Sequence, residues 1–330
     1  RRTATFVKYA LRSVLVLWQE SYDLVFATST PLTASIPGIF ARWLLRKPFV
    51  FEVRDLWPEL PRAMGVIQNP VLLWLMELLE WVSYHSASHI IGLSPGIEKG
   101  IERRGVKKNK IGMVPNGCDL KLFTPDGVGT SALAEFTQSD YFAVFAGTHG
   151  LANGLNQLLN VAAELKDSDR LDIKLLFVGE GSLKKELTQE AKVRGLNNCI
   201  FLDPVPKLEL ARIFREADIG LMVLANFPAF YYGTSPNKFF DYISSGLPVI
   251  NNYPGWLAEV IQDHSCGAVT APGDSKQFAE KIIEICDDDG LRAGMARSAR
   301  QLAESSFSRR QLSDNFVDIL ECVDNLSLRS

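Results

Sequence analysis

Cysteine and histidine are scarce in this 330-residue chain, which has five Cys and four His. The cysteines, at 118, 199, 266, 286 and 322, are odd in number and form no C-x-x-C pair. That fits a reducing compartment and excludes a disulfide framework or a Cys-based zinc site. His85 and His89 stand four apart in "HSASH", but no acid lies between them as in a zinc-protease helix, so a helix surface is the better reading. No Asp-x-Asp sits at a strand end, and neither metal nor other cofactor is expected. An excess of basic charge is also missing. Lys and Arg number 35 against 38 Asp and Glu, a net charge of −3 that argues against a nucleic-acid partner. The longest apolar stretch, "PVLLWLMELLEWVSYHSASH" (70–89), is broken by Glu77, Glu80 and His85, which predicts a packed helix instead of a membrane span. The first residue is Arg and no signal peptide precedes the first periodic stretch, so the chain reads as a fragment or processed form.

What is present is a folded composition, 47% hydrophobic and 22% charged, long enough for two domains with real cores. Short apolar runs alternate with helical stretches nearly throughout. "YDLVFATS", "PFVFEVRD", "IIGLS" and "KIGMVPNG" read as strands of one series; "YFAVFAG", "IKLLFVGEG", "CIFLD", "DIGLMVL" and "PVINN" as strands of a second. Strands separated by helices of this length make parallel sheets with right-handed crossovers. The expected fold is therefore α/β, with two doubly wound Rossmann-like domains facing a central cleft. Residues 1–124 form the first domain, incomplete at its start, and 125–139, with Pro and Gly and little periodicity, the linker. Residues 140–305 form the second domain, and ligands are expected past the carboxyl ends of its strands.

The segment "FYYGTSPNKFFDYISSGLPVI" (230–250) carries the most chemistry. Ser235 and Pro236 suit an N-cap followed by proline at the first helical position, and Gly246 ends the helix. Gly233, Thr234, Ser235, Pro236 and Asn237 then lie at the positive end of a helix, a ready anion site to which Lys238 adds a charge. Asp241 follows on the same face, where a carboxylate can accept two hydroxyls of a ribose. A nucleoside diphosphate meets both demands; a well-capped helix with a solvated Lys and Asp is the plainer alternative. Two glycine turns share that sheet edge: "AGTHGLANG", with Gly147, Thr148, His149 and Gly150, and "VGEGS", with Gly179. Neither reads G-x-G-x-x-G, which leaves little for a dinucleotide dehydrogenase. In the first domain "FEVRDLWPE" sets Glu52, Arg54 and Asp55 at a strand's end.

In the order "FATSTPL", "EVRDLWPE", "LSPG", "VPNGCDLKLF", "AGTHG", "FVGEG", "TSPNKFFDY" and "SGLPVI", the chain resembles the retaining glycosyltransferases of family 4, with the GT-B fold. The likeness is nearest to bacterial enzymes of O-antigen or colanic-acid type polysaccharide synthesis, including transferases of N-acetyl-L-fucosamine. It implies a nucleotide-sugar donor, UDP-linked, in the second domain and a polyprenyl-diphosphate-linked glycan acceptor in the first. It implies also that the last helix, within 306–330, crosses back to the first domain, and that the family's first strand and glycine-rich loop precede residue 1. The second glutamate of the family's E-x7-E pattern aligns with Asp241 and the first with Gly233; its diphosphate-binding Arg and Lys align with Thr148 and Asn153. Both cations are absent, and Lys238 with the helix amides is expected to replace them. A His-Asp pair of the family falls on Arg54 and Asp55, which the resemblance makes candidate catalytic groups, Arg54 for developing charge and Asp55 for orientation. A UDP-sugar epimerase of GT-B fold and a nucleotide-binding scaffold without catalysis are the alternatives.

Charge is uneven. Residues 1–54 carry eight basic side chains against three acidic ones. "RRTATFVKYALRSVLVLWQE" is amphipathic and basic and, with "ARWLLRKP", predicts peripheral contact with anionic lipid at the inner face of the cytoplasmic membrane, in a cytoplasmic protein.

Overall fold

The structure, a computed structural model, describes all residues except 1, 30, 131, 132, 134–139 and 328–330. Much of the linker expected over 125–139 therefore lies outside the described residues. Two compact units are present. The first comprises Arg1–Pro115, Phe227–Ser235 and Arg310–Ser330; the second comprises Asn116–Asn226 and Pro236–Arg309. The break after the first series falls at 115/116, earlier than the expected 124. Residues 116–124 are bonded into the second unit: Cys118 N donates to Phe307 O at 2.7 Å, and Phe123 O accepts from Ser244 Oγ at 2.7 Å and from Arg300 Nη1 at 3.0 Å.

The first unit begins with α1 (Arg2–Gln19), β1 (Val25–Thr28), α2 (Ser35–Trp43), β2 (Phe49–Val53) and α3 (Glu59–Ala63), and continues with α4 (Pro70–Ser86), β3 (His89–Gly92), α5 (Pro95–Arg103) and β4 (Ile111–Met113). Its four strands are parallel in the order β1-β2-β3-β4. Strand alternation sorts β2 between two cores. Phe49, Phe51 and Val53 pack with Tyr84, Ile97 and Ile101, whereas Val50 packs on the other face with Ile91 and with Leu312 and Val323 of the C-terminal helix. The helix starts follow local chemistry. Asn69 accepts from the Val71 and Leu72 amides and Ser94 from the Ile97 amide, each followed by proline at the first helical position.

Helix α4 is packed, as its interrupted apolar run implies, but on one side only. Leu73, Glu80, Ser83 and Tyr84 are buried, but Val71, Leu72, Trp74, Leu75, Leu78 and Trp81 are exposed. The polar residues that interrupt the run find partners: Glu77 pairs with Arg62, buried Glu80 with Arg104 at 2.6 Å, and His85 stacks on Trp81. Helix α1 likewise exposes Phe6, Leu11, Leu15 and Trp18.

The second unit contains β5 (Tyr141–Ala146), α6 (Asn156–Asp167), β6 (Ile173–Val178), α7 (Lys184–Val193), β7 (Cys199–Leu202), α8 (Lys207–Glu216) and β8 (Ile219–Met222). After the short α9 (Pro228–Tyr231), which belongs to the first unit, come α10 (Asn237–Ser244), β9 (Val249–Asn251), α11 (Trp256–Asp263), β10 (Gly267–Val269), α12 (Ser275–Asp287) and α13 (Asp289–Ser306). The C-terminal helix, α14 (Arg309–Ser327), lies in the first unit from residue 310. The sheet is parallel in the order β10-β9-β8-β5-β6-β7, so the winding reverses between β5 and β8. Crevices at such a reversal, beyond the carboxyl ends of the strands, are where open α/β sheets bind ligands. The buried runs "YFAVFA" and "IKLLFV" pair residue for residue from Tyr141 with Ile173 to Ala146 with Val178, and this brings their two following turns side by side.

Candidate functional site

The turns after β5 and β6 are stitched together by continuing the parallel ladder. Gly147 N donates to Val178 O at 2.9 Å and His149 N to Glu180 O at 2.9 Å. Both turns need glycine. Gly147 has φ +152° and Gly179 φ +143°, and a side chain on Gly179 would run into the Gly147 carbonyl. Helix α10 is fixed against the same strand ends by buried Tyr242, whose hydroxyl accepts from Ala146 N at 3.0 Å and donates to Leu221 O at 3.4 Å. With Tyr242 inward, Asn237, Lys238 and Asp241 project from one face of the helix, since residues three and four apart lie one above the other.

Gly147, Thr148, Asn153, Gly179, Glu180, Asn237, Lys238 and Asp241 thereby line one pocket of about 590 Å³, walled on the apolar side by Pro204, Val205, Leu210 and Phe214. This volume lies within the range of small-molecule sites. A larger hollow of about 920 Å³, lined by residues such as Gln262, Gly267, Glu284 and Arg297, lies away from these turns and gathers none of the candidate residues.

The start of α10 differs from its expected form. Pro236, with ψ 132°, is itself the N-cap, and the helix begins at Asn237. Proline cannot supply an amide, and Ser235 is buried in the first unit, so an anion site built from the amides of 233–237 is not formed. The available donors are the amides of Asn237 and Lys238, because the Phe239 amide already bonds to Pro236 O at 3.1 Å.

Lys238 Nζ donates to Asn153 Oδ1 at 3.2 Å and lies 3.8 Å above the centre of the Phe145 ring. Burial pulls its amine down to about pKa 7. Asp241 moves the opposite way. Burial pushes its carboxyl up to about 6, against the pull of Lys207 and Arg309, with Asp119 adding to the rise. Each charge is thus held in an environment that disfavours it, while the pocket pairs one cation with one carboxylate on a single helix face. That combination suits a ligand with an anionic end and a hydroxylated end.

His149 is not part of the pocket. Its ring is fully buried among Phe145, Phe177 and Phe201, with neither ring nitrogen hydrogen-bonded among the described residues, and burial lowers its pKa. Gly150 precedes a short 3-10 turn at Leu151–Asn153 and is absent from the pocket lining. Gly233 and Thr234 line a separate small cavity of the first unit with Asp55, Leu56, Glu59, Leu60 and Ala229. Arg54 stands at the end of β2, its amide donating to Ser29 Oγ at 2.9 Å and its guanidinium 3.8 Å from Glu52 Oε2. Asn153 and Glu180 were missed as site residues. The glycine turn that carries each of them is the local signal in the sequence, and for Asn153 the resemblance adds its alignment with a diphosphate-binding lysine.

Comparison with known proteins agrees with this architecture. The family described as "Glycosyl transferases group 1" matches residues 134–302, and the "Glycosyl transferase 4-like domain" matches residues 2–117. The capsular polysaccharide biosynthesis glycosyltransferase CapM of Staphylococcus aureus is 21% identical over 310 residues, 91% of this chain and 77% of the relative. The O-antigen chain mannosyltransferase C of Escherichia coli is 23% identical over 258 residues, 77% of this chain and 66% of that protein. The chain thus spans about two thirds to three quarters of the length of these two relatives. Among solved structures, Anabaena Alr3699/HepE in complex with UDP superposes with a TM-score of 0.76 at 19% identity, covering 95% of this chain and 82% of that one. At that identity the likeness establishes the fold, GT-B with two parallel-sheet Rossmann-like domains.

Proposed function

Because the chain belongs to the Glycosyl transferases group 1 family, we propose that it transfers a sugar, with retention, from a UDP-linked donor to a lipid-linked glycan in the synthesis of a bacterial surface polysaccharide. The observation that carries this reading is the pocket beyond β5 and β6, where the Lys238 amine and the Asp241 carboxylate line one hollow from one helix face. The diphosphate lies against Lys238 and the amides of Asn237 and Lys238, where charge on the departing UDP is stabilised. Asp241 accepts the ribose hydroxyls, and the apolar wall of Pro204, Val205 and Leu210 receives the base. UDP is the nucleotide bound in the Anabaena HepE complex, and capsule and O-antigen are the products named for CapM and the mannosyltransferase. Asp55 orients sugar or acceptor and Arg54 answers developing charge, with attack on the donor's own face and no protein nucleophile.

The acceptor reading is supported by the surface of the first unit. Exposed Trp18, Trp74 and Trp81 occur with exposed Lys8, Arg12, Arg42 and Arg46, the mixture that favours a lipid headgroup region. No helix of the described residues is long and apolar enough to cross a membrane. The contact is peripheral, at the cytoplasmic face.

Incubation of the protein with labelled UDP-sugars and a polyprenyl-diphosphate glycan tests the reading. Transfer with retained anomeric configuration is expected, together with loss of measurable UDP binding in Asp241→Ala. Normal UDP affinity in that variant would remove the pocket from the mechanism.

A further inference from the structure

Thr148 and Asn153 on the glycine turn after β5 are uncharged, and the cation among the residues lining the pocket is Lys238 on α10. Asn153 is not idle in this arrangement. Its Nδ2 donates to Thr148 O at 2.7 Å while its Oδ1 accepts from Lys238 Nζ at 3.2 Å, so one amide ties the glycine turn to the lysine. Gly147 makes room for that nitrogen: a methyl group at this position would lie 3.3 Å from Nζ. Underneath, the Phe145 face closes the floor at 3.8 Å. The ammonium therefore has one neutral oxygen and one ring face as its close neighbours.

Resting on the donor-site reading above, we propose that Asn153 is a positioning residue, holding the Lys238 ammonium inside the glycine turn so that a nucleoside diphosphate meets it there. The charged groups that face Lys238 are few. Glu180 on the turn after β6 and Asp241 on its own helix line the same pocket, and His149 lies beneath the turn after β5. None of the described carboxylates is ion-paired with Nζ, and burial is the cause of its low pKa of about 7. A bound diphosphate stabilises the charged form and raises that pKa, so binding above pH 7 must take up a proton. Affinity for UDP accordingly falls as pH rises from 7 to 9. The Asn153 oxygen bonds to the charged form, so losing it lowers the pKa of the free amine and moves the fall to lower pH.

Calorimetric titration with UDP, at pH 6.5 to 9 and in buffers of different ionisation enthalpy, reads both effects. The wild-type protein should take up close to one proton per UDP at pH 8. Asn153→Ala should bind about tenfold more weakly at pH 7, the scale of one charge-assisted hydrogen bond, with its pH midpoint displaced downward. Asn153→Asp supplies a fixed negative partner, so its affinity should be lowered and nearly independent of pH over the same range. Circular dichroism confirms that each variant is folded. Unchanged affinity in Asn153→Ala, or weaker binding with the pH midpoint and proton uptake of the wild type, overturns the inference while leaving the donor site standing. Failure of the wild-type protein to bind UDP at all overturns the donor-site reading itself, and the inference with it.

Discussion

Asp241 and Lys238 stand three residues apart on α10, and burial disfavours the charged form of both. For Asp241 the consequence can be measured without substrate. Its folded pKa, about 6, lies above the ordinary carboxylate value. The folded state then holds more protons than the unfolded one between those two values, and stability falls as pH rises through that window. Above pH 6 the ionised carboxylate is a net cost; below pH 4 the cost is gone. Asp241→Asn should therefore raise the apparent Tm of the ligand-free protein by roughly 2–4 °C at pH 7 and leave it unchanged near pH 4, while UDP affinity is lost. Thermal melts at the two pH values check the sign, and an equal gain at both would show that the carboxylate is not strained by burial. His149 teaches the opposite lesson at the same scale. A histidine between glycines in "GTHG" reads as ligand-facing, yet the His149 N to Glu180 O bond turns its side chain down among three phenylalanines. That bond comes from the neighbouring turn, which the local sequence does not contain.

At the scale of elements, most of the strands and helices were legible because their patterns are local. Buried runs such as "YFAVFA" and capped starts such as Asn69-Pro70 declare themselves within a few residues. The end of α10 was legible for the same reason. Gly246 adopts φ +71°, its amide bonding back to Ile243 O at 3.1 Å, and no heavy atom lies closer than 3.6 Å to the place of a methyl group. Gly246→Ala should consequently cost about 1–2 kcal/mol through backbone strain alone, seen in chemical denaturation, with UDP affinity unchanged. A larger loss, or a loss of affinity, would mean that the helix end is coupled to the pocket. The start of α10 was less legible. Ser-Pro suits either an N-cap with proline at the first position or an N′ residue with proline as the cap, and the choice depends on where residues 227–235 pack. They belong with the first unit, α9 contacting α3.

For the whole molecule, the unevenly placed charge and the exposed aromatic residues of α1 and α4 lead to a test with vesicles. Binding to vesicles containing anionic lipid should be salt-sensitive and should weaken roughly fivefold for each basic residue removed from the pair Lys8 and Arg12. Trp74→Ser with Trp81→Ser should reduce binding even at low salt, because the apolar contribution is not screened. Co-sedimentation that is independent of anionic lipid and of these residues would discard the membrane contact.

Sequence alone determined the alternation of strands and helices, the two parallel-sheet domains, the glycine turns and the residue types that a nucleoside diphosphate would need. All of these follow from periodicity, capping and backbone conformation, which act over a few positions. Tertiary structure decided which of the candidates share a pocket. It joined Asn153 to Lys238 across 85 residues of chain, withdrew His149 into the core, assigned Thr234 and Ser235 to the other unit, and left the outer face of α4 bare. Those outcomes depend on pairing between strands and packing between helices far apart in the chain, and on the burial that shifts the charges of Lys238 and Asp241.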